Sequence, residues 1–555
     1  MRRLCLISLS CVLGSSLACG PDSSSVSEGG EEWADGRTLI DTFIPASVGR
    51  ADLIVVIDDS PSMRGHMSTM AANVGAFGEL LAQLEFIDAR VAITTTSVPG
   101  PTCEGARALG GSPIVESCRA HLEDFVGPDE HAQQGGESED LQALCEQSCS
   151  LETIERVISP GSTEDGGLAE RPWIDGPGTF GGGNLAEGVE YGEALSCALM
   201  QGFGGCQFES PLEAAARMVE RYADPNDTMF GFRRPDAALM VVVISDEDDC
   251  SHPDGSGTIF SPAGDQLFWP PGATEPLSAI CFNAGVVCDE QSGACNVSDM
   301  DSTGSPTTDP GLAVLFNPED RLRAAFEAAS EFALGDSPLV SVLGGYRSNG
   351  DLVYAQPEPG SEHEAYAQAY GIGPGCTGSD VDGAPVRAAP GGRLAAATET
   401  FTPGARFSIC DWDWSVVFEP VFGRIRDQIR PWCFPGEGEA DWACVADLGG
   451  GVAGLAAPDC VVEQVDGEQR ETVSPCERDA EGNWLLDELT SDFLIPAGES
   501  ACWAYQLDVE GLSESNTDDP DVECTDVGAR GSLKVARNEP APYEAYYALR
   551  CRPCE

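Results

Sequence analysis

Asp58-Asp59-Ser60-Pro61-Ser62 places a carboxylate and two hydroxyls at alternate positions, directly after the apolar run Leu53 to Ile57. Hard oxygen donors at that spacing suit Mg²⁺ or Ca²⁺ and serve softer metals poorly. A second acidic cluster, Ser245-Asp-Glu-Asp-Asp249, follows another apolar run from Ala237 to Ile244. The two clusters are distant in sequence, so they form one site only if the fold brings two strand ends together. Between them lies Phe208-Glu209-Ser210-Pro211, where Glu209 offers a carboxylate and Ser210 a hydroxyl; Thr179, in a Gly-rich run upstream, offers another hydroxyl. The candidate metal ligands are therefore Asp58, Ser60, Ser62, Asp246 and Glu209, with Mg²⁺ or Ca²⁺ as the cofactor. Competing structural readings are a strand-to-helix turn with Ser caps for the first loop and a carboxylate favoured by a helix dipole for Glu209.

Other chemistry finds little support. Cys551-Arg-Pro-Cys554 has the spacing of a redox pair, but such pairs open a helix after a strand, and here one residue remains, which favours a terminal structural disulfide. The five His form no zinc pattern and read mostly as solvated loop positions. No Gly-x-Ser-x-Gly elbow, phosphate loop or dinucleotide fingerprint is present. Acidic pairs are too common in this chain to indicate acid-base catalysis. The expectation is a binding protein and not an enzyme; the enzymatic rival requires a hydrolytic site in the insertions or the C-terminal region. With 92 acidic against 30 basic residues and a net charge of −62, nucleic acid and other polyanions are poor partners. Lys534 is the only lysine, so Arg supplies nearly all the positive charge.

Asp58, Ser60 and Ser62 resemble the first motif of the metal-ion-dependent adhesion site of von Willebrand factor A domains. The resemblance places Asp246 as the last ligand, and implies that an acidic side chain of a protein ligand completes the cation's shell. Where that family supplies a Thr, this chain reads Phe208-Glu209-Ser210. A carboxylate there lowers the site's net positive charge, holding metal more tightly and attracting an acidic ligand less. The stretch Ile244 to Ser251 together with Phe407-Ser-Ile-Cys-Asp411 also resembles a group of secreted bacterial A-domain lipoproteins.

Positioning such a site requires alternating strands and helices. Five consecutive apolar residues, mostly β-branched, read as a buried parallel strand. Helical spacing over His66 to Leu84 and an apolar strand at Arg90 to Val98 complete a strand-helix-strand unit. Further helices are expected at Leu185 to Met200, Pro211 to Tyr222, Glu319 to Leu334, Arg393 to Phe401 and Trp412 to Arg430. Strands are expected at Leu339 to Leu343 and Ala405 to Ile409. The fold class is α/β, a doubly wound, mainly parallel sheet over residues 44–430, with ligands beyond the carboxyl ends of its strands. Two insertions interrupt it, 99–184 and 251–318, the second read as solvated loop. Residues 431–555, with short alternating segments between Gly, Asp and Pro turns, read as a small disulfide-stapled β domain, a sandwich being one arrangement.

Arg2 and Arg3 before an apolar stretch from Leu4 to Leu17 read as a secretory signal over residues 1–18. Ala18-Cys19 resembles a lipoprotein processing site, making Cys19 the lipidated residue, with plain cleavage near Ala18 as the alternative. Residues 19–43 then serve as a flexible tether. Of 23 Cys, 20 remain after Cys5, Cys11 and Cys19, an even number suited to an oxidising compartment. Cys103 with Cys118, Cys145 with Cys149 and Cys288 with Cys295 are candidate staples, though spacing leaves connectivity open. The expected location is the outer membrane or cell surface of a Gram-negative bacterium, with periplasmic or secreted forms as alternatives. The expected partner is a protein, the membrane being met through lipid only. A structural envelope scaffold, with the cation only stabilising loops, is the rival role.

Overall fold

The computed structural model describes residues 38–43, 49–83, 87–100, 103, 107–128, 138–156, 171–176, 183–234, 237–253, 255–288, 295–329, 338–354, 360–361, 363–418, 420, 432–433, 444–447, 453–456, 459–466, 469–479, 484–485, 493–507, 531–537 and 546–552. Strand β1 (Thr38–Phe43) precedes a six-stranded sheet made of β2 (Gly49–Ile57), β3 (Ile87–Thr95), β4 (Ile174–Asp175), β5 (Ala238–Ile244), β6 (Leu339–Gly344) and β7 (Arg406–Ser408). Their order is β7-β6-β5-β2-β3-β4. All pairs are parallel except the edge pair β3 with β4. The order reverses between β2 and β5, the crevice where open α/β sheets bind ligands.

Alternation along the buried strands divides the core between two faces. Leu53, Val55, Ile57, Val91, Ile93, Met240, Val242 and Ile244 point to one cluster. It is covered by α1 (Met67–Gln83) and α2 (Tyr191–Leu199). Ile54, Val56, Ala92, Leu239, Val241, Val243, Val340 and Val342 point to the other. That face carries α3 (Pro211–Ala223), α4 (Pro318–Ala328) and α5 (Gly392–Phe401). Pro211 opens α3 where its missing N–H costs nothing, and the Asn317 side chain caps α4 by accepting from the amides of Glu319 and Asp320.

Boundaries shift where the sequence signal is weak. The second strand runs over Ile87–Thr95 and not to Val98, because Thr96 and Ser97 already belong to the loop at the sheet edge. The helix expected from Leu185 begins only at Tyr191. Within the helix expected from Trp412 to Arg430, Ser415–Phe418 form a 3₁₀ turn and Pro420 is helical, while 419 and 421–430 lie outside the described residues.

The second insertion is not solvated loop. Phe260, Trp269, Ile280, Cys281 and Leu315 bury a satellite core with Phe208, and the Trp269 indole donates to the carbonyl of Ile259 at 2.7 Å. Scattered single aromatics hide this core from a periodicity reading. Two of the expected cysteine pairs also change partners: Cys103 bonds Cys206, Cys118 bonds Cys145 and Cys149 bonds Cys197, while Cys288 bonds Cys295. Cys250–Cys281, Cys376–Cys410 and Cys476–Cys502 are further disulfides. This density fits an oxidising compartment. Among the described residues no helix is long and apolar enough to cross a membrane.

Among its described residues the C-terminal region holds a seven-stranded sheet and a two-stranded one, Cys444–Asp447 with Ala453–Ala456. The strands of the larger sheet are β8 (Trp432–Cys433), β9 (Asp459–Asp466), β10 (Gln469–Pro475), β11 (Ala501–Leu507), β12 (Gly531–Arg537), β13 (Tyr546–Arg552) and β1, in the order β1-β13-β9-β10-β11-β12-β8. Thr38–Phe43, assigned by sequence to the tether, is therefore a strand paired antiparallel with β13. The signal, Cys19 and Cys554, and with it the Cys551–Cys554 pairing, lie outside the described residues, though Cys551 itself stands in β13.

Gly345 follows β6 so closely against the segment before α5 that an added Cβ would collide with the carbonyl of Ala389. Gly345→Ala should destabilise the fold by about 1–3 kcal/mol, the usual cost of overpacking, measured by urea unfolding; an unchanged midpoint would show that the segment yields freely.

Candidate functional site

The sheet's register makes the site. Ile57 lies opposite both Thr95 and Ile244, and Ile244 opposite Leu343, so four strands end flush. Their loops are tied in sequence at this edge: the Asp58 amide donates to the Ile244 carbonyl at 2.9 Å, that of Ser245 to Leu343 at 3.0 Å, and that of Thr96 to Ile57 at 3.0 Å. Ser210, just before α3, donates its amide to the Thr96 carbonyl at 3.0 Å, and Cys250 donates to the Glu209 carbonyl at 2.8 Å. Thus the loop carrying Glu209 joins those carrying Asp58 and Asp246.

Side chains continue the network. Asp58 Oδ1 accepts the Ser60 amide at 2.8 Å, and its Oδ2 accepts Ser245 Oγ at 2.6 Å. Ser60 Oγ and Ser62 Oγ share a hydrogen bond of 2.7 Å, and Ser62 Oγ donates to Asp246 Oδ1 at 2.8 Å. Asp58, Ser60, Ser62 and Asp246 thereby form one connected set of oxygens. Glu209 differs: it is fully buried, yet neither carboxylate oxygen has a hydrogen-bond partner.

Burial pushes the carboxyls of Asp58, Asp246 and Glu209 above the ordinary range. For Glu209 the neighbouring charges of Glu247, Asp58 and Asp246 push further in the same direction. Burial also holds Asp59 up to about 7, against a 2.6 Å hydrogen bond from Ser97 Oγ. His66, which the sequence puts at the start of the helical stretch, is 1% exposed, and its Nε2 stands 3.9 Å from Asp246 Oδ2 and 3.1 Å from the Arg387 carbonyl oxygen. Burial pushes its imidazole down to about 4, so it brings no positive charge. His121 is buried as well.

The rest of the acidic run has other work. Asp248 accepts the Arg393 amide at 2.9 Å at the start of α5. Asp249 pairs with Arg393 at 3.0 Å, both side chains being fully buried, and its Oδ1 accepts the Leu212 amide at 3.1 Å. Ser251 Oγ accepts the Glu213 amide at 2.9 Å. Asp249 and Ser251 therefore satisfy the amides at the start of α3, and the capping role considered for Glu209 is filled without it. Ser210 is buried at the same helix start, and Thr179 lies outside the described residues.

Among the described residues no group of three or more His, Cys, Asp and Glu side chains stands ready to hold a metal. The donor chemistry nevertheless fits a hard divalent cation: Asp58, Ser60, Ser62 and Asp246 offer only oxygens, and Glu209 is a buried acid with neither oxygen hydrogen-bonded.

No protein-family model matches the chain, and no curated protein matches it. Among solved structures, it aligns over 96% of its length with the pilus adhesin SpaC from Lactobacillus rhamnosus GG in an open conformation, at 9% identity and a TM-score of 0.27, covering 45% of that chain. It aligns over 94% with the pilus adhesin RrgA from Streptococcus pneumoniae, at 11% identity and a TM-score of 0.24, covering 59% of that chain. The chain thus spans about half the length of these adhesins, and likeness at these scores carries no argument about its fold or activity.

Glu209 is destabilising in metal-free protein whether it stays charged or takes a proton. Protonating a carboxyl with an ordinary value of 4.5 at pH 7 costs roughly 3 kcal/mol. Glu209→Gln should therefore raise the melting temperature in chelator and lower it, relative to wild type, in excess Mg²⁺ or Ca²⁺; a shift of the same sign in both would exclude Glu209 as a ligand. Asp249→Ala leaves Arg393 buried and unpaired, and should cost about 3–5 kcal/mol in urea unfolding with or without cation.

Proposed function

We propose that this chain is an exported binding protein, not an enzyme, whose A-type domain uses Mg²⁺ or Ca²⁺ to bind a protein ligand through an acidic side chain. The observation that carries the reading is Glu209, fully buried with both oxygens unpartnered beside Asp58, Asp246 and Glu247. Ser60 and Ser62 would hold the cation directly, Asp58 and Asp246 directly or through water, and Glu209 would add a carboxylate. When bound, the cation supplies a positive point that a ligand carboxylate can complete. Asp58 is pre-aligned for this by the Ser60 amide and the Ser245 hydroxyl, and Asp246 by the Ser62 hydroxyl. The chain's location at a cell surface, anchored through lipid on Cys19, belongs to the same proposal.

One observation favours a structural role instead: Asp58, Ser60, Asp246 and Glu209 are at most 1% exposed, and only Ser62 is partly open. In that reading the cation neutralises and fastens the strand-end loops of an envelope scaffold.

Calorimetric titration with Mg²⁺ and Ca²⁺ separates these outcomes. Wild type should bind close to one cation, Asp246→Ala none, and chelation should abolish capture of a protein ligand. Cation binding and stabilisation without any ligand dependence would favour the scaffold, and absence of cation binding would refute both.

A further inference from the structure

One face of the site is built from the second insertion and from segments after β6, outside the strand-end loops. Helix Glu364–Tyr370 stacks Tyr366 on Tyr370, with ring centroids 4.2 Å apart, in a small core shared with Ala279, Phe282 and Ala389. Two anchors join that core to the carboxylates. The Ala389 amide donates to the Asp246 carbonyl at 2.8 Å, and Ser278, next to Ala279, donates its hydroxyl to Glu247 Oε1 at 2.8 Å. Tyr366 belongs to the same core, is 8% exposed, and its hydroxyl has no hydrogen-bond partner. The negative Asp246 and Glu247 and the positive Arg387 all act on it electrostatically.

Arg387 is the second member of this face. Its carbonyl accepts from His66, which ties its backbone to the site, while its partly buried guanidinium forms no ion pair with a described carboxylate. In a chain with 92 acidic and 30 basic residues such a free positive group stands out against described arginines such as Arg234, Arg321 and Arg393, each of which meets a carboxylate. A phenol O–H and a guanidinium are donors only toward an anion, and a guanidinium matches a carboxylate's planar geometry. The strand-end loops alone present carboxylates, which repel a carboxylate.

We propose that Tyr366 and Arg387 form the anion-recognising side of the cation site, Tyr366 donating a hydrogen bond to, and Arg387 pairing with, the carboxylate of the ligand. This rests on the cation-dependent reading above and names the residues that read the ligand. Because burial keeps the phenol protonated, Tyr366 remains a donor. The recognised chemistry is a single carboxylate, from either an acidic side chain of a protein or a free organic acid.

The test uses the full chain as wild type, Tyr366→Phe and Arg387→Gln. Each is titrated first with Mg²⁺ and Ca²⁺, then, cation-saturated, with glutarate and with a short Gly-Ser peptide carrying one glutamate; melting curves check that the variants fold. The expected result is cation binding like wild type in both variants, with carboxylate binding weakened at least about tenfold, the usual loss for a hydrogen bond to a charged group. Peptide binding without glutarate binding identifies a protein side chain as the source, and the reverse identifies a free acid; both support the proposal. Wild-type protein that binds cation but neither carboxylate, or variants that bind both probes like wild type, overturns this inference while leaving the cation site standing. Wild-type protein that binds no cation overturns both.

Discussion

The two ends of β2 carry opposite solutions to the same problem, the burial of a carboxylate. Asp52 and Asp58 are both fully buried. Asp52 meets the Arg234 guanidinium at 2.8 Å, the Arg234 amide at 2.6 Å and Arg233 at 3.5 Å. Asp58 meets amides and hydroxyls, among them the Ser60 amide and the Ser245 hydroxyl, and no described arginine pairs with it. The same division runs through the acidic stretch after β5, where Asp249 has Arg393 and Asp246 has the Ser62 hydroxyl. Arginines neutralise the carboxylates that hold the fold, and the carboxylates at the sheet's open edge are left without one. Unpaired buried charge is among the most costly features a domain can carry, and here the flush strand ends concentrate it.

That concentration is stable only because the loops around it are fastened. Cys103–Cys206 holds the segment three residues before Glu209, and Cys250–Cys281 fixes the residue after Asp249 to the satellite core. The Cys250 amide then closes on the Glu209 carbonyl. Each disulfide ties an insertion to the sheet edge, so the insertions act as buttresses for the site. Mutual repulsion among Asp58, Asp246, Glu209 and Glu247 would otherwise drive these loops apart.

Strand cores and the spacing of oxygen donors were legible in the sequence, since both are local: β-branched runs mark buried strands, and Asp58, Ser60 and Ser62 lie within one turn. Pro211 likewise announced α3. Nonlocal features were not legible. Nothing in Asp-Glu-Asp-Asp says that Asp246 faces the site while Asp249 caps α3 and pairs with Arg393, because that choice is made by which helix starts lie nearby. The fold of 251–318 depends on single aromatics meeting across long separations, and β4 is two residues long, recruited by pairing Asp175 with Arg90. Thr38–Phe43 is a strand only because β13, more than 500 residues later, completes it.

Burial also constrains what such a site can recognise. A flat protein surface cannot reach oxygens that are at most 1% exposed, but a single side chain entering beside the partly open Ser62 can. Affinity would then come from a few charge-assisted contacts, and discrimination from whatever lines the approach. The sheet contributes little to that lining, since its strand ends are covered by their own loops. What remains is the segment from Ser278 to Phe282, helix Glu364–Tyr370 and the strand holding Arg387, Pro385–Ala388. These lie outside the strand-helix repeat that builds the donor set, so under the proposed reading the strand-end residues would govern cation holding and the added segments ligand choice, and the two properties could change independently.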